Sequence, residues 1–355
     1  MNLTNLGYNE KLEKYRIENM LRNFEIGRII AEHKERYIVK TVNGEFESEI
    51  TGNMRFTANN REDFPVVGDW VALQIYEPDF ALIYQILPRN SIIRRQAVGQ
   101  SSGIQIVATN IDFAFIVQAV DKDFNINRLE RYLTICSSSG IKSIIVLTKI
   151  DLITVDEKNE IIQVIHSRIK NIPVIALSNE NLEGYEDLKN TIQKSKTYCL
   201  LGSSGVGKST LLNNLSDGNI MKTNSISTST GKGKHTTSHR ELIILENGGI
   251  LIDNPGMREV GIADSIAGLD ITFNNILQYA QKCRFKDCTH IHEIGCEVKK
   301  AVEYGEIDQK SYENYIKLRK ENMHFESSVS ERRKKEKQFG KILKNYKKDI
   351  KRNKE

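Results

Sequence analysis

Gly202, Ser203, Ser204, Gly205, Val206, Gly207, Lys208, Ser209 and Thr210 fit the spacing G-x-x-x-x-G-K-[ST] at every position. The apolar run TYCLL precedes them and LLNNL follows, the strand–loop–helix setting in which this spacing makes a phosphate cradle. Glycines let backbone N–H groups curl around phosphate oxygens with no Cβ in the way, and the helix N-terminus adds the positive end of its dipole. Lys208 is expected to reach the β- and γ-phosphates and the Ser209 hydroxyl to hold Mg²⁺. The loop therefore predicts a nucleoside triphosphate with Mg²⁺ and leaves the base open.

The base is read elsewhere. Thr148-Lys149-Ile150-Asp151, at the end of the apolar run IKSIIVL, resembles the N-K-x-D guanine motif, with Thr in the Asn position. A carboxylate at Asp151 accepts from guanine N1–H and the 2-amino group together. Adenine would leave it unpaired, and sites built this way discriminate by roughly 10⁴ or more. The aliphatic stem of Lys149 can lie over the base plane. Ser178-Asn179, after NIPVIAL, resembles the S-A element that also touches guanine. Asp253-Asn254-Pro255-Gly256 fits D-x-x-G, with Asp253 reaching Mg²⁺ through water and the Gly256 N–H sensing the γ-phosphate; N-P-G is also ordinary turn chemistry. In most GTPases the phosphate loop comes first, then D-x-x-G, N-K-x-D and S-A. Here the cycle is kept but its start has moved, so the chain reads as a circular permutation, which close domain termini permit.

Between the phosphate loop and Asp253 lies the small, polar, glycine-bearing segment Gly231–Arg240. Thr237, in preference to Thr236, is expected to complete the Mg²⁺ shell; a solvated connector is the plainer reading. Met257 stands where many GTPases place a water-orienting Gln, and a thioether cannot do that work. His235 is the best-placed substitute. Further on, Cys283-x₄-Cys288-x-His290-x₅-Cys296 offers three thiolates and one imidazole, a closed tetrahedral set for a structural Zn²⁺, with His292 as an alternative to His290. Cys136 and Cys199 fall in a helix and a strand and are expected to pack.

The elements that must position these groups follow from periodicity. Residues 1–23 read as a short amphipathic helix or a frayed leader. From about Phe24 to Gln96 short strands, two of them joined through Asn43-Gly44, suggest a small barrel, OB-like or SH3-like. From about 105 buried strands alternate with helices, which means a parallel sheet covered by helices, with a late hairpin turned at Asn247-Gly248. The fold class is thus α/β. Of the 355 residues 39% are apolar and 27% charged, so a disordered chain is excluded. No apolar run is long enough for a membrane span and no secretory leader is evident. Five cysteines argue against a disulfide framework, so a reducing cytoplasm is expected. Residues 331–355 carry twelve Lys or Arg against four acids, a net +8 on a chain of net +5. Such a run is either a solvated arm or a nucleic-acid contact. An ATP-using phosphate-loop enzyme and an RNA-binding factor with a silent nucleotide site are the rival readings; Asp151 opposes the first, and Lys208, Ser209 and Asp253 the second.

Taken together, the barrel, the permuted motif order, the G-x-G-x-H-T-T segment at Gly231–Thr237 and the Cys₃His spacing resemble the circularly permuted RsgA (YjeQ) GTPases over nearly the whole length. The resemblance implies an OB-fold over 24–98 that binds ribosomal RNA, a permuted GTPase domain over 105–265, a zinc-bearing helical domain over 266–330 and a basic tail over 331–355. It implies GTP with Mg²⁺, one structural Zn²⁺, and a late role in maturing the small ribosomal subunit, which stimulates hydrolysis. A monomer with no membrane partner is expected. Two positions depart from the family pattern: Thr148 replaces the usual Asn, and Asn179 the usual Ala.

Overall fold

A computed structural model describes residues 2–33, 36–96, 104–121, 124–216, 240–253 and 266–323. The N-terminal segment, with α1 (Glu10–Glu18) started by the Asn9 side chain accepting from Leu12 N, buries Leu6, Leu12 and Leu21 against Ile26, Trp70, Ala72 and Leu87. At about 1.5–3 kcal/mol for each buried leucine, that contact docks the segment rather than leaving it frayed. The strands β1 (Glu25–His33), β2 (Arg36–Lys40), β3 (Glu45–Ile50), β4 (Trp70–Glu77) and β5 (Phe80–Ile86) follow, with α2 (Gly52–Thr57) between β3 and β4. Asn43-Gly44 turns β2 into β3 with Lys40 opposite Glu45, as its sequence predicts. The order β1-β2-β3-β5-β4 closes by pairing β4 with β1, and β3 runs parallel to β5. This is the OB-like alternative, a barrel with no free edge around its girth.

An antiparallel ribbon, β6 (Ile92–Gln96) and β7 (Ile104–Thr109), leads into the second part. There β8 (Phe113–Ala119), α3 (Ile126–Ser138), β9 (Lys142–Thr148), α4 (Val155–Arg168), β10 (Val174–Ala176), α5 (Tyr185–Thr191), β11 (Thr197–Leu201) and α6 (Lys208–Leu215) alternate. The hairpin β12 (Arg240–Ile244) and β13 (Ile250–Asp253) ends it, turned at Asn247-Gly248 with Gly248 at φ +80°. The spatial order is β10-β9-β8-β11-β13-β12, parallel throughout except for β12 against β13. β8, β9 and β11 are continuous apolar runs because helices cover both faces.

β12 also pairs with β1, Ala31 facing Glu241 and Glu32 facing Arg240, so barrel and α/β sheet form one 11-stranded sheet. Met1–Gly261 is accordingly one compact unit and Ile262–Glu355 a second. The second unit contains α7 (Ile266–Thr272), α8 (Asn274–Ala280), α9 (Glu297–Glu303) and α10 (309–323), packed around Leu269, Phe273, Ile276, Val298, Ile307 and Leu318. Among the described residues no helix is long and apolar enough to cross a membrane.

Within the first unit the seam between barrel and sheet is closed by Arg28, 1% exposed. Its guanidinium donates to Gly68 O at 3.2 Å, Leu6 O at 2.5 Å, Thr197 Oγ1 at 2.9 Å and Asn110 O at 3.1 Å. Burial pulls its pKa down to about 10, with Asp112 and Asp69 opposing the fall, so the group stays charged at neutral pH. Trp70, the chain's single tryptophan, lies under it with its ring centroid 5.6 Å from the guanidinium carbon. Arg28→Met is expected to lower unfolding free energy by about 3 kcal/mol, since four buried acceptors lose a charged donor. Arg28→Lys should rescue less than half, because an ammonium cannot span a planar fork's acceptors. Urea unfolding followed by Trp70 fluorescence measures both; a lysine variant as stable as the parent would refute the geometry argument.

Candidate nucleotide site and metal centre

The parallel strands bring their carboxyl ends to one edge, and every described nucleotide-site residue stands there. Thr148 ends β9, Ser178 lies two residues past β10, Gly202 one past β11, and Asp253 ends β13. Ligands of open α/β sheets bind at this edge where the strand order reverses. Here the reversal falls between β8 and β11, beside the phosphate loop.

The loop Gly202–Gly207 passes from β11 into α6. A Cβ on Gly202 would lie 2.3 Å from Val117 O, so backbone packing alone requires glycine there. Gly207 takes φ +90°, and a Cβ on it would lie 2.4 Å from Asn179 Nδ2. Lys208 Nζ folds back over the loop and donates to Gly202 O at 2.7 Å and Ser203 O at 2.5 Å. The ammonium is thereby poised at the loop's mouth. Ser209 follows it in the first turn of α6. The described magnesium-binding candidates, Ser209 and Asp253, are a hydroxyl and a carboxylate, both hard oxygen donors as Mg²⁺ requires.

On the base side, Lys149 adopts φ +63° and turns the chain so that Asp151 follows in a single 3₁₀ turn, Ile150–Leu152. The buried Ser178 hydroxyl donates to Asp151 Oδ1 at 2.5 Å and itself accepts from Glu180 N at 3.1 Å, which fixes the carboxylate's direction. Asp151 remains exposed, as a group that must meet a ligand should. Lys149 Nζ pairs with Asp121 Oδ2 at 2.7 Å, two residues past β8. The Thr148 hydroxyl, fully buried, donates to Val206 O in the phosphate loop at 2.7 Å. Asn179 Nδ2 donates to Gly207 O at 3.1 Å. The structure thus brings 148–151, 178–179 and 202–210 together.

His235, Thr237, Thr236, Gly256 and Met257 lie outside the described residues, as do residues 331–355. Four contacts escape the motif reading. Asp121 partners Lys149; Arg128 Nη1, on α3, approaches Ser203 Oγ at 3.4 Å; Tyr185 and Asn214 hold Asn179. Asp121 had a signal, a carboxylate just past a strand end. The others had none, because their partners are remote in sequence.

In the second unit the ligand atoms of Cys283, Cys288, His290 and Cys296 all lie within 4.8 Å of one another. Cys283 Sγ is 3.9 Å from Cys296 Sγ, and His290 Nδ1 is 3.6 Å and 3.5 Å from those two sulfurs. Tetrahedral Zn²⁺ with Zn–S of about 2.3 Å and Zn–N of about 2.0–2.1 Å requires edges of about 3.8 and 3.6 Å. The donor set therefore fits a structural zinc with no position left for water. Burial lowers the pKa of His290, with Arg319 adding to the fall and Glu293 opposing it, so the imidazole is neutral as a ligand must be. The imidazole that joins the three thiols is that of the buried His290, whereas His292 is exposed and outside the cluster. The Glu293 carboxylate also accepts from Thr289 N and Oγ1 and Ile291 N, and Tyr312 donates to His290 O at 2.7 Å. The loop between the ligands is thus held by its own hydrogen bonds. Cys136 and Cys199 are buried with raised pKa values and pack as expected.

The RsgA GTPase family profile matches residues 86–263. A Bacteroides thetaiotaomicron protein named small ribosomal subunit biogenesis GTPase RsgA 1 is 39% identical over 98% of this chain and 97% of its own length. A Lactiplantibacillus plantarum protein named small ribosomal subunit biogenesis GTPase RsgA 2 is 43% identical over 83% of each chain. Among solved structures, YloQ, described as a circularly permuted GTPase, superposes with a TM-score of 0.61 at 25% identity over 86% of this chain and 96% of its own. YjeQ from Thermotoga maritima gives 0.60 at 24% identity over 83% and 96%, a likeness of fold.

Binding free energy at a closed metal centre is folding free energy. Cys288→Ser is expected to lose the bound metal, about one zinc per chain, and to make the segment around 283–296 sensitive to protease while nucleotide binding persists. Elemental analysis of the purified parent finding no stoichiometric metal would contradict the assignment.

Proposed function

The chain belongs to the RsgA family of GTPases, and we propose that it hydrolyses GTP on the small ribosomal subunit, assists that subunit's late maturation, and is switched on by docking there. The reading is carried by the gathering of the permuted motifs at one sheet edge, in the spatial order of a nucleotide site although Thr148 and Asp253 are far apart in the chain. The names of its relatives supply the ribosomal partner.

In this reading Asp151, aimed by Ser178, takes the N1–H and 2-amino group of guanine, and Lys149 covers the base plane. Thr148, Ile150 and Asn179 complete the base side. The N–H groups of the loop from Gly202 to Thr210 cradle the phosphates. Lys208 supplies positive charge to the β- and γ-oxygens. Ser209, Thr237 and Asp253 would hold Mg²⁺, which neutralises charge developing on the phosphates. Thr237 and His235 enter as sequence-based assignments: His235 orients the water that attacks the γ-phosphorus, giving GDP and phosphate. Phosphoryl transfer needs little from the protein beyond positioning and electrostatics, so a water lacking its orienting group reacts slowly. Met257 leaves that gap, and subunit docking closes it by bringing His235 to the water.

The barrel over 24–98 is the RNA-binding domain, and the zinc in the Cys₃His centre holds the C-terminal helical domain together. The basic tail at 331–355 adds an electrostatic contact to rRNA phosphates. The protein acts as a cytoplasmic monomer.

Asp151→Asn replaces an acceptor by a donor facing guanine N1–H. GTP affinity is expected to fall by at least 100-fold while xanthosine triphosphate gains; retained GTP selectivity in competition binding would show that another residue reads the base. His235→Ala is expected to keep GTP affinity and subunit binding and to lose at least 90% of subunit-stimulated turnover. Should its stimulated rate equal the parent's, a ribosomal group orients the water instead.

A further inference from the structure

Lys149 and Asp121 leave the sheet side by side. Ala119 at the end of β8 is registered against Thr148 at the end of β9, and Val120 N donates to Thr148 O at 3.0 Å. Beyond that bond the next residue is Asp121 on one strand and Lys149 on the other, at the edge where the strands end. Lys149 Nζ meets Asp121 Oδ2 at 2.7 Å. The backbone at both ends of this contact is fixed. Lys149 stands between Thr148 and Ile150, both buried, and takes φ +63°, and its carbonyl accepts from Leu152 N at 3.1 Å. Asp121 O accepts from Phe124 N at 2.9 Å, which turns the chain toward α3.

Stability explains neither feature. The left-handed region is unfavourable for a residue with a Cβ, and such conformations gather at ligand sites. The side chains of Lys149 and Asp121 are 31% and 29% exposed, and an ion pair so open to solvent contributes little to folding. What the pair does is restrict a long side chain. Lysine carries its charge on a flexible four-carbon stem that samples many directions from its Cα. Here the Cα is set by the left-handed turn and Nζ by Asp121, so the stem between them is laid out before a ligand arrives. A surface ordered in advance loses less freedom on binding. That stem is the part of Lys149 assigned to the base plane.

We infer that Asp121 is a positioning residue for the purine ring: it tethers the Lys149 ammonium so that the lysine stem lies ready to cover the base. The inference rests on the base-side assignment above and deepens it, adding to Asp151 and Lys149 a third residue that acts only through the second. The base is common to GDP and GTP, so the tether serves both alike and leaves the hydrolytic step alone. A second effect of the same carboxylate has the opposite sign, because a negative charge at an edge that receives a polyphosphate repels it. Repulsion alone would make removal of the charge tighten binding, whereas loss of the tether weakens it.

The test measures dissociation constants and release rates of fluorescent N-methylanthraniloyl GDP and a fluorescent non-hydrolysable GTP analogue. Asp121→Ala is expected to weaken both by about fivefold, through faster release, the upper range for a partly exposed ion pair. Asp121→Asn keeps the shape and loses the charge; it should weaken both by about threefold and provides the test if Asp121→Ala fails to fold. The decisive arm is the Lys149→Met background, which keeps an unbranched stem and removes the ammonium. There Asp121→Ala should change either affinity by less than about twofold, because its partner is gone, whereas a merely structural defect would persist. Affinities within twofold of the parent for the folded single variants at Asp121, tighter binding by them, or an undiminished loss in the Lys149→Met background would overturn the proposal. Asp151→Asn separates this from the underlying reading. A switch to xanthosine nucleotide with an unmoved Asp121→Ala sinks the tether alone, and no switch sinks the base-side assignment and the tether with it.

Discussion

A guanidinium excluded from water must spend its donors on protein acceptors, and the burial of Arg28 sets that condition on the whole first unit. Its four partners come from the N-terminal segment, the approach to β4, the end of the β6–β7 ribbon and the first residue of β11. None of these segments could shift by a residue without orphaning a buried acceptor or the charge itself, a loss of several kcal/mol. Asp69 makes a second such knot nearby, accepting from Arg89, Thr109 Oγ1 and Val66 N. The barrel and the α/β sheet are therefore locked in register by polar groups as much as by apolar packing. The strand that leads into the phosphate loop, β11, begins at one of those acceptors.

From that anchored strand the site is built by short loops on rigid strand ends. Tyr198 stacks between Phe113 and Phe115 at ring distances of 5.0 Å, which holds β11 against β8. Ser178 directs Asp151, and Thr148 reaches across to the phosphate loop. The segments proposed to read the base and to bind phosphate are thus mechanically continuous. The permutation does not disturb this, because only the order in which the strands are visited has changed. The Cys₃His cluster belongs to the other unit and follows another logic, in which a short segment gathers three thiols and an imidazole that fit a metal ion, in a loop held by the hydrogen bonds around Glu293.

What could be read from the sequence was chemistry confined to neighbouring residues. The phosphate loop, the two Asn-Gly turns and the Cys₃His spacing each express themselves within about twenty residues, and each is found where its spacing put it. The barrel's closure was half legible: alternation gave the strands, but only the pairing of β4 with β1 distinguished an OB-like barrel from an SH3-like one. The leader was ambiguous because three leucines in a polar stretch declare nothing until Trp70 and Leu87 are beside them. Arg28 was invisible for the same reason. Its partner Thr197 lies 169 residues away, and an arginine in an alternating strand reads as solvent-facing. Asn179 showed itself as an unusual residue, but its hold on Gly207 O depends on Tyr185 and Asn214, which belong to no motif.

The pairing of β12 with β1 has a mechanical meaning. Arg240 is the first described residue after the segment that carries His235, and it is registered against Glu32 on the barrel rather than against the nucleotide-binding core alone. Among the described residues two residue pairs make this strand pairing. Arg240 is thus fastened to a lever, the barrel, whose fulcrum is the buried knot at Arg28. A load that twists the barrel is delivered first to Arg240 and Glu241, and along β12 to β13, whose last residue is Asp253. One strand thereby ties a force on the barrel to Asp253 at one end and to Arg240 at the other.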